Sequence, residues 1–129
     1  MEQVVEQSRR HFHPLYRRLH VLLSREDERG ESAYRHQLAE TVEWLQEHFA
    51  EPKNGLQVKL HEGAVCAFHW KDNGEPQFLN PEKQPLPFLI RKSDGAFLYA
   101  TTDLAACRFR VDQLQADTII VITDARQVL

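Results

Sequence analysis

Apolar residues recur at helical spacing at the start of the chain: Val4, Val5, Phe12, Leu15, Tyr16 and Leu19, with Ser8 on the same stripe, predict a helix from Glu2 to Leu19. Arg9, Arg10, Arg17 and Arg18 fall mostly on the opposite side. Pro14 lies inside the pattern; it removes a backbone donor and crowds the preceding turn, which predicts a kink or a restart near His13. Val21, Leu22 and Leu23 read as a short buried strand, closed by the polar run from Ser24 to Gly30. A second helix is predicted from Ser32 to Phe49, with Leu38, Val42, Leu45 and Phe49 as its buried stripe and Trp44 beside it. It ends at the breaker cluster Glu51, Pro52, Lys53, Asn54, Gly55.

The pattern then changes period. Leu56 to Leu60 alternates apolar and polar, and Ala64 to Phe68 is nearly continuously apolar, so both read as strands with Gly63 marking the turn between them. Asn73 and Gly74 supply a second turn, because both tolerate the positive φ of a tight hairpin. A loop carrying Pro76, Pro81, Pro85 and Pro87 leads to a strand at Phe88 to Arg91, a turn at Asp94 and Gly95, and a further strand at Ala96 to Tyr99.

Thr101 or Thr102 caps the next predicted helix, with Asp103 in its first turn near the positive end of the helix dipole. Leu104, Cys107 or Arg108, Val111 and Leu114 continue its apolar side. The β-branched run Thr118 to Ile122 has the composition of a buried parallel strand, so the order strand, helix, strand suggests a βαβ unit. Ligands gather at the carboxyl ends of strands in open parallel sheets. That rule places Tyr99, Asp103 and the segment Asp124 to Gln127 along one rim.

A carboxylate pairs well with a planar cation through parallel charge-assisted hydrogen bonds. A phenol adds a ring face or a hydroxyl, and an amide adds a neutral donor and acceptor. Tyr99, Asp103 and Gln127 therefore suit a guanidinium. On spacing alone, an aspartate favoured by the helix dipole and a tyrosine in the core account for the first two residues more simply.

The run RKSDGAFLYATTDLAACRFRVDQLQADTIIVITDARQ, from Arg91 to Gln127, resembles the matching segment of bacterial arginyl-tRNA synthetases, which are class I aminoacyl-tRNA synthetases. EQSRRHFHPLYRRLHV (Glu6 to Val21) and GESAY (Gly30 to Tyr34) resemble the same enzymes in the same order. The likeness is strong around LYATTDLA and weak between Glu43 and Pro87. It implies an α/β fold: a partial Rossmann-like catalytic domain spanning residues 1–129 as one domain, with an antiparallel β-hairpin insertion at about 50–90. By resemblance, Tyr99, Asp103 and Gln127 correspond to residues that recognise the side chain of the substrate arginine and its surroundings.

The same resemblance implies an arginine-tRNA ligase as parent, using ATP with magnesium, L-arginine and arginine tRNA. The HIGH-type and KMSKS-type signatures of class I synthetases do not occur in the sequence. HFHP, at His11 to Pro14, falls within the helix that follows the first signature in the family and is not read as a phosphate site. The chain is thus expected to be an interior piece of a catalytic domain, inactive alone and binding ATP weakly or not at all. Pro14 and the Val128 and Leu129 that follow Gln127 depart from the family pattern. The alternative is a free-standing α/β arginine-binding or regulatory module descended from a synthetase.

Composition narrows the remaining choices. At 129 residues and 42% hydrophobic content the chain has the length of one domain, and its net charge of −3 gives no overall attraction to nucleic acid. The arginines of the first helix are read as a solvated face, with a phosphate-binding face as the alternative. No apolar run approaches the roughly 20 residues that cross a bilayer, and the N-terminus lacks the apolar stretch of a signal peptide. Cys66 and Cys107 stand far apart and read as reduced, buried thiols of a cytoplasmic protein.

No metal is expected. His11 and His13, two apart on a helix, point to different sides, and His61, His69 and Cys66 add no ligand spacing. Phe68, Trp70 and Phe78 near Lys71 and Lys83 are read as hairpin packing, with a stacking surface for single-stranded RNA as the alternative. A sheet edge left bare would favour self-association.

Overall fold

A computed structural model describes residues 2–122. It divides into two compact units, with the boundary between Ser32 and Ala33.

The first unit holds helix α1, Glu2–Arg18, and a short 3-10 turn at Arg25–Asp27. α1 runs through Pro14 without a restart; the proline forgoes one hydrogen bond, and the turns on either side keep theirs. The helix closes with His20 in the left-handed region at φ 55°. There the His20 N–H donates to the Arg17 carbonyl at 3.3 Å and the Val21 N–H to the Tyr16 carbonyl at 2.9 Å. This closure satisfies carbonyls that a helix end leaves open.

It also overturns the strand expected at Val21 to Leu23. Val21 is spent on the helix end, Leu22 is 96% exposed, and the segment pairs with no strand among the described residues. The 24–28 segment is instead fastened to α1 by charge. Arg9 Nε donates to Glu28 Oε2 at 2.6 Å, and His13 Nε2 lies 3.0 Å from the other oxygen.

A 3-10 turn, Glu31–Gln37, most of which lies in the second unit, leads into helix α2, Leu38–His48. The single helix expected from Ser32 to Phe49 is therefore split, and the α-helical part starts at Leu38. Strands β1, Leu56–His61, β2, Ala64–His69, and β3, Phe88–Arg91, form one antiparallel sheet in the order β1-β2-β3. Glu62 and Gly63, at φ 50° and 79°, make the two-residue turn between β1 and β2. Two positive φ values in succession match the right-handed twist of the strands they join.

Period-two alternation sends Val58, Val65, Ala67 and Ile90 into one cluster with Val42 and Leu45 of α2. Cys66 and Phe68 alternate with them and are also buried. Phe68 lies 6.5 Å from Trp70 with the rings nearly parallel, and Lys59 Nζ sits 4.9 Å from the Phe68 ring centre. Phe68, only 4% exposed, belongs to the hairpin packing and offers no open stacking face.

Helix α3 spans Tyr99–Asp112 and packs Ala105 and Ala106 against Tyr34 and Leu38. Alanines allow this close approach. The strand expected at Ala96 to Tyr99 shrinks to a single bridge between Phe97 and Arg91, because the helix begins at Tyr99.

The parallel strand expected at Thr118 to Ile122 does not form among the described residues. Ile120 and Ile122 are 83% and 94% exposed. A β-branched run becomes a strand only beside another strand, and β1, β2 and β3 form their sheet without it. The antiparallel hairpin and the mixed helix and strand composition stand as the sequence indicates. No helix among the described residues is long and apolar enough to cross a membrane.

Candidate functional site

The N-terminal end of α3 gathers the residues of interest. Leu98 is the cap residue, with the extended backbone that precedes a helix, but its side chain is apolar and offers no acceptor. Thr101, three residues on, makes up the lack. Its hydroxyl accepts the Leu98 N–H at 3.2 Å and donates to the carbonyl of Ile90 on β3. The expected cap at Thr101 or Thr102 is thus displaced to Leu98, and Thr101 acts from inside the first turn.

The displacement moves Asp103 as well. With Tyr99 as the first helical residue, Asp103 lies in the second turn, where the helix dipole favours a carboxylate less than at the end. Tyr99 and Asp103 are four apart on the same helix, so they stand on one face, one turn from each other, with Cβ atoms about 5–6 Å apart. Tyr99 is 61% exposed and Asp103 is also exposed. Neither side chain has a hydrogen-bond or ion-pair partner among the described residues. The strand end and helix start that were to hold the two residues are replaced by one helix. Gln127, the third residue of the trio, lies outside the described residues.

An exposed phenol beside an unpaired carboxylate can receive a cation. The carboxylate supplies charge and two acceptor oxygens, and the phenol supplies either a ring face or a hydroxyl. A planar guanidinium uses both oxygens at once, whereas an ammonium meets them as a point charge. The same carboxylate repels a triphosphate, so these residues do not fit ATP.

Other candidates resolve differently. No group of three His, Cys, Asp or Glu residues able to hold a metal is found among the described residues. Cys66 is buried, which pushes its thiol above the ordinary value, with the nearby Glu62 charge adding to the effect. A thiol so placed is a poor nucleophile.

Sequence reasoning missed the bond between Thr101 and Ile90, since a threonine near a helix start reads first as a cap. It also missed Arg108, whose guanidinium lies 5.0 Å from the Trp44 ring centre and reaches Glu40 and Asp112 at 3.4 and 3.5 Å. Only the spacing of Arg108 and Asp112, four apart on a predicted helix, hinted at part of that cluster.

Comparison with known proteins supplies the family. The pattern described as tRNA synthetases class I (R), catalytic domain, matches residues 1–129. The arginine-tRNA ligase of Psychromonas ingrahamii is 48% identical over 124 residues, 96% of this chain and 19% of that protein. That of Nostoc punctiforme is 45% identical over 122 residues, 95% of this chain and 18% of the relative. Among solved structures, the crystal structure of arginyl-tRNA synthetase from Plasmodium falciparum superposes with a TM-score of 0.68 at 27% identity, covering 98% of this chain and 19% of that one. The chain thus spans about a fifth of the length of the curated relatives it matches. With the match running the length of the sequence and the relatives agreeing, the chain belongs to the class I arginyl-tRNA synthetase family, within its catalytic domain.

Proposed function

We propose that this chain supplies part of the arginine-recognition surface of an arginine-tRNA ligase. Asp103 pairs with the guanidinium of L-arginine and Tyr99 flanks it, with Gln127 as a further contact. The observation that carries this reading is the exposed pair Tyr99 and Asp103 on one face of α3, neither with a side-chain partner among the described residues. Family membership supports it, because the sequence resemblance assigns these positions to the amino acid.

The parent reaction would join the arginine carboxylate to the α-phosphate of ATP, with magnesium, and then pass the arginyl group to arginine tRNA. This chain's residues act on the amino-acid side of that sequence, by binding and orienting the substrate. Positioning alone contributes to such a reaction without a nucleophile or base from this segment. Residues 1–129 form one portion of the catalytic domain, with the hairpin region at about 50–90 as an insertion, and the protein works in the cytoplasm.

The chain by itself holds arginine at millimolar strength or weaker, about 4 kcal/mol or less. An NMR titration of the 15N-labelled chain with L-arginine, with L-lysine as control, tests the reading. Shifts at Tyr99 and Asp103 with arginine and not with lysine are expected. Equal responses to both amino acids would discard guanidinium recognition.

We further propose that copies of the chain associate through an exposed edge of the β1-β2-β3 sheet. β1 is a poorer route, because the Val58 N–H on its outer side is already taken by the Phe49 carbonyl at 2.7 Å. Sedimentation at increasing concentration decides the matter: a mass that stays monomeric throughout excludes it.

A further inference from the structure

We propose that Thr101 is the positioning residue of this arginine site, holding Tyr99 and Asp103 in place from beneath without touching the ligand. The inference rests on the assignment of those two residues to arginine.

Its basis is a defect in the sheet. Arg91 of β3 opposes Val65 of β2, but the next partner of β2, Cys66, opposes Leu89, so Ile90 is an extra residue with no opposite number. Such a bulge interrupts the ladder and leaves a backbone group to be satisfied elsewhere. Ile90 is 1% exposed, so water does not serve. The Thr101 hydroxyl does, by donating to the Ile90 carbonyl.

The same oxygen accepts the Leu98 N–H, which fixes where α3 begins. One buried hydroxyl thereby joins the bulge of β3 to the first turn of α3. Thr101 has no exposed surface, so it acts on a ligand only through this link. Tyr99 depends on the link most directly: as the first helical residue, it takes its direction from the point at which the helix starts. Asp103 depends on it through the tether of the helix to the sheet. The neighbouring Thr102 is half-buried and makes neither bond, which suits it as a control.

The test compares Thr101→Val, which keeps the shape and removes the hydroxyl, with Thr101→Ser, which keeps the hydroxyl, and with Thr102→Val. Arginine is titrated against each 15N-labelled chain. Thr101→Val is expected to need about tenfold more arginine than wild type for half-maximal shifts at Tyr99 and Asp103, while Thr101→Ser and Thr102→Val stay within about threefold. The amide signals of β1 and β2 should keep their positions in all three. An unchanged midpoint for a folded Thr101→Val overturns the proposal.

Amide exchange separates this failure from failure of the arginine assignment. If arginine shifts nothing in wild type, the assignment fails, and the link is judged from the Leu98 amide. That amide should exchange about tenfold faster in Thr101→Val than in Thr101→Ser, and equal rates overturn it. Should Thr101→Val lose its β-sheet signals, wild type decides alone. A slowly exchanging Thr101 hydroxyl proton close to the Leu98 amide is expected, and its absence overturns the proposal.

Discussion

The guanidinium of Arg108 lies over the indole of Trp44, 5.0 Å from the ring centre, and so joins α3 to α2. His48 stacks on the same indole at 4.4 Å, which places Trp44 in an aromatic cluster beside the carboxylates of Glu40 and Asp112. Replacing Arg108 by alanine removes the cation and both ion contacts. The Arg108 side chain is 24% exposed, so solvent screens the pairs and the ring contact is the larger loss. Arg108→Ala is expected to lower unfolding free energy by about 1 kcal/mol. Urea denaturation measures this, and an unchanged midpoint would mean the contact contributes nothing net.

Asp103 is the charged half of the proposed arginine contact. Asp103→Asn preserves shape and helix while removing the charge, and should weaken arginine binding by about tenfold to a hundredfold, the range of a charge-assisted hydrogen bond. Tyr99→Phe keeps the ring face and is expected to weaken binding less. Calorimetric or NMR titration ranks the two variants; Tyr99→Phe proving the more damaging would shift the contact from the carboxylate to the phenol hydroxyl.

The segment that holds the 3-10 turn at Arg25–Asp27 should respond to acid. Hydrogen bonding from Arg9 holds the Glu28 carboxyl below its ordinary value, with burial opposing, and hydrogen bonds from Ser24 do the same for Asp27. Both groups are depressed in the folded state. Their contribution is therefore complete above the ordinary carboxylate range and is lost as pH falls through the depressed values. The Ser24 to Glu28 amides should stay fixed from neutral pH into mild acid and move only below that range. Glu28→Gln should remove the Glu28 share of this response. An NMR pH titration in which the segment already moves near neutrality would show that the carboxylates do not hold it.

Ile90 fills the centre of the cluster between the sheet and α2. Ile90→Ala leaves a cavity and is expected to cost about 2–5 kcal/mol, against about 0.5–1.5 for Ile90→Val. A small domain holds only about 5–15 kcal/mol in all. The alanine variant should therefore show a large drop in its denaturation midpoint, and a loss equal to that of the valine variant would place Ile90 outside the core.

Gly55 is expected to resist substitution for two independent reasons. Its φ of +75° strains any side chain, and a Cβ there would lie 2.7 Å from the Trp70 carbonyl oxygen. The Trp70 N–H in turn donates to the Gly55 carbonyl at 2.7 Å, so the strand end cannot simply retreat. Gly55→Ala should destabilise by more than about 1 kcal/mol, and thermal unfolding measures it.

The elements legible in the sequence were those whose signals are local. Leu56 to Leu60 alternates with period two, Gly63 permits a tight turn, and the cluster ending in Gly55 stops α2; each lies where expected. The failures share a cause in partners. Val21 to Leu23 and Thr118 to Ile122 have strand composition, but composition states only a preference, and neither segment pairs with a strand among the described residues. The placement of the candidate residues was half legible. Tyr99 and Asp103 stand out as candidates in the sequence, yet their shared helix face does not, because a cap at Thr101 or Thr102 starts the helix three or four residues later. That error traces to Thr101, whose hydroxyl serves Ile90 across the fold and so could not be assigned from local sequence.

Carrying the phenol and the carboxylate on one helix makes their spacing a property of helical pitch: about 6 Å of rise separates positions four apart. Such a pair works as a fixed caliper. Displacing the helix carries both residues together, and only rotation of the two side chains changes the gap between them. Given the helix start that Thr101 holds, the backbone spacing of the pair follows from residue count, and one residue inserted between Tyr99 and Asp103 would swing one jaw about 100° from the other.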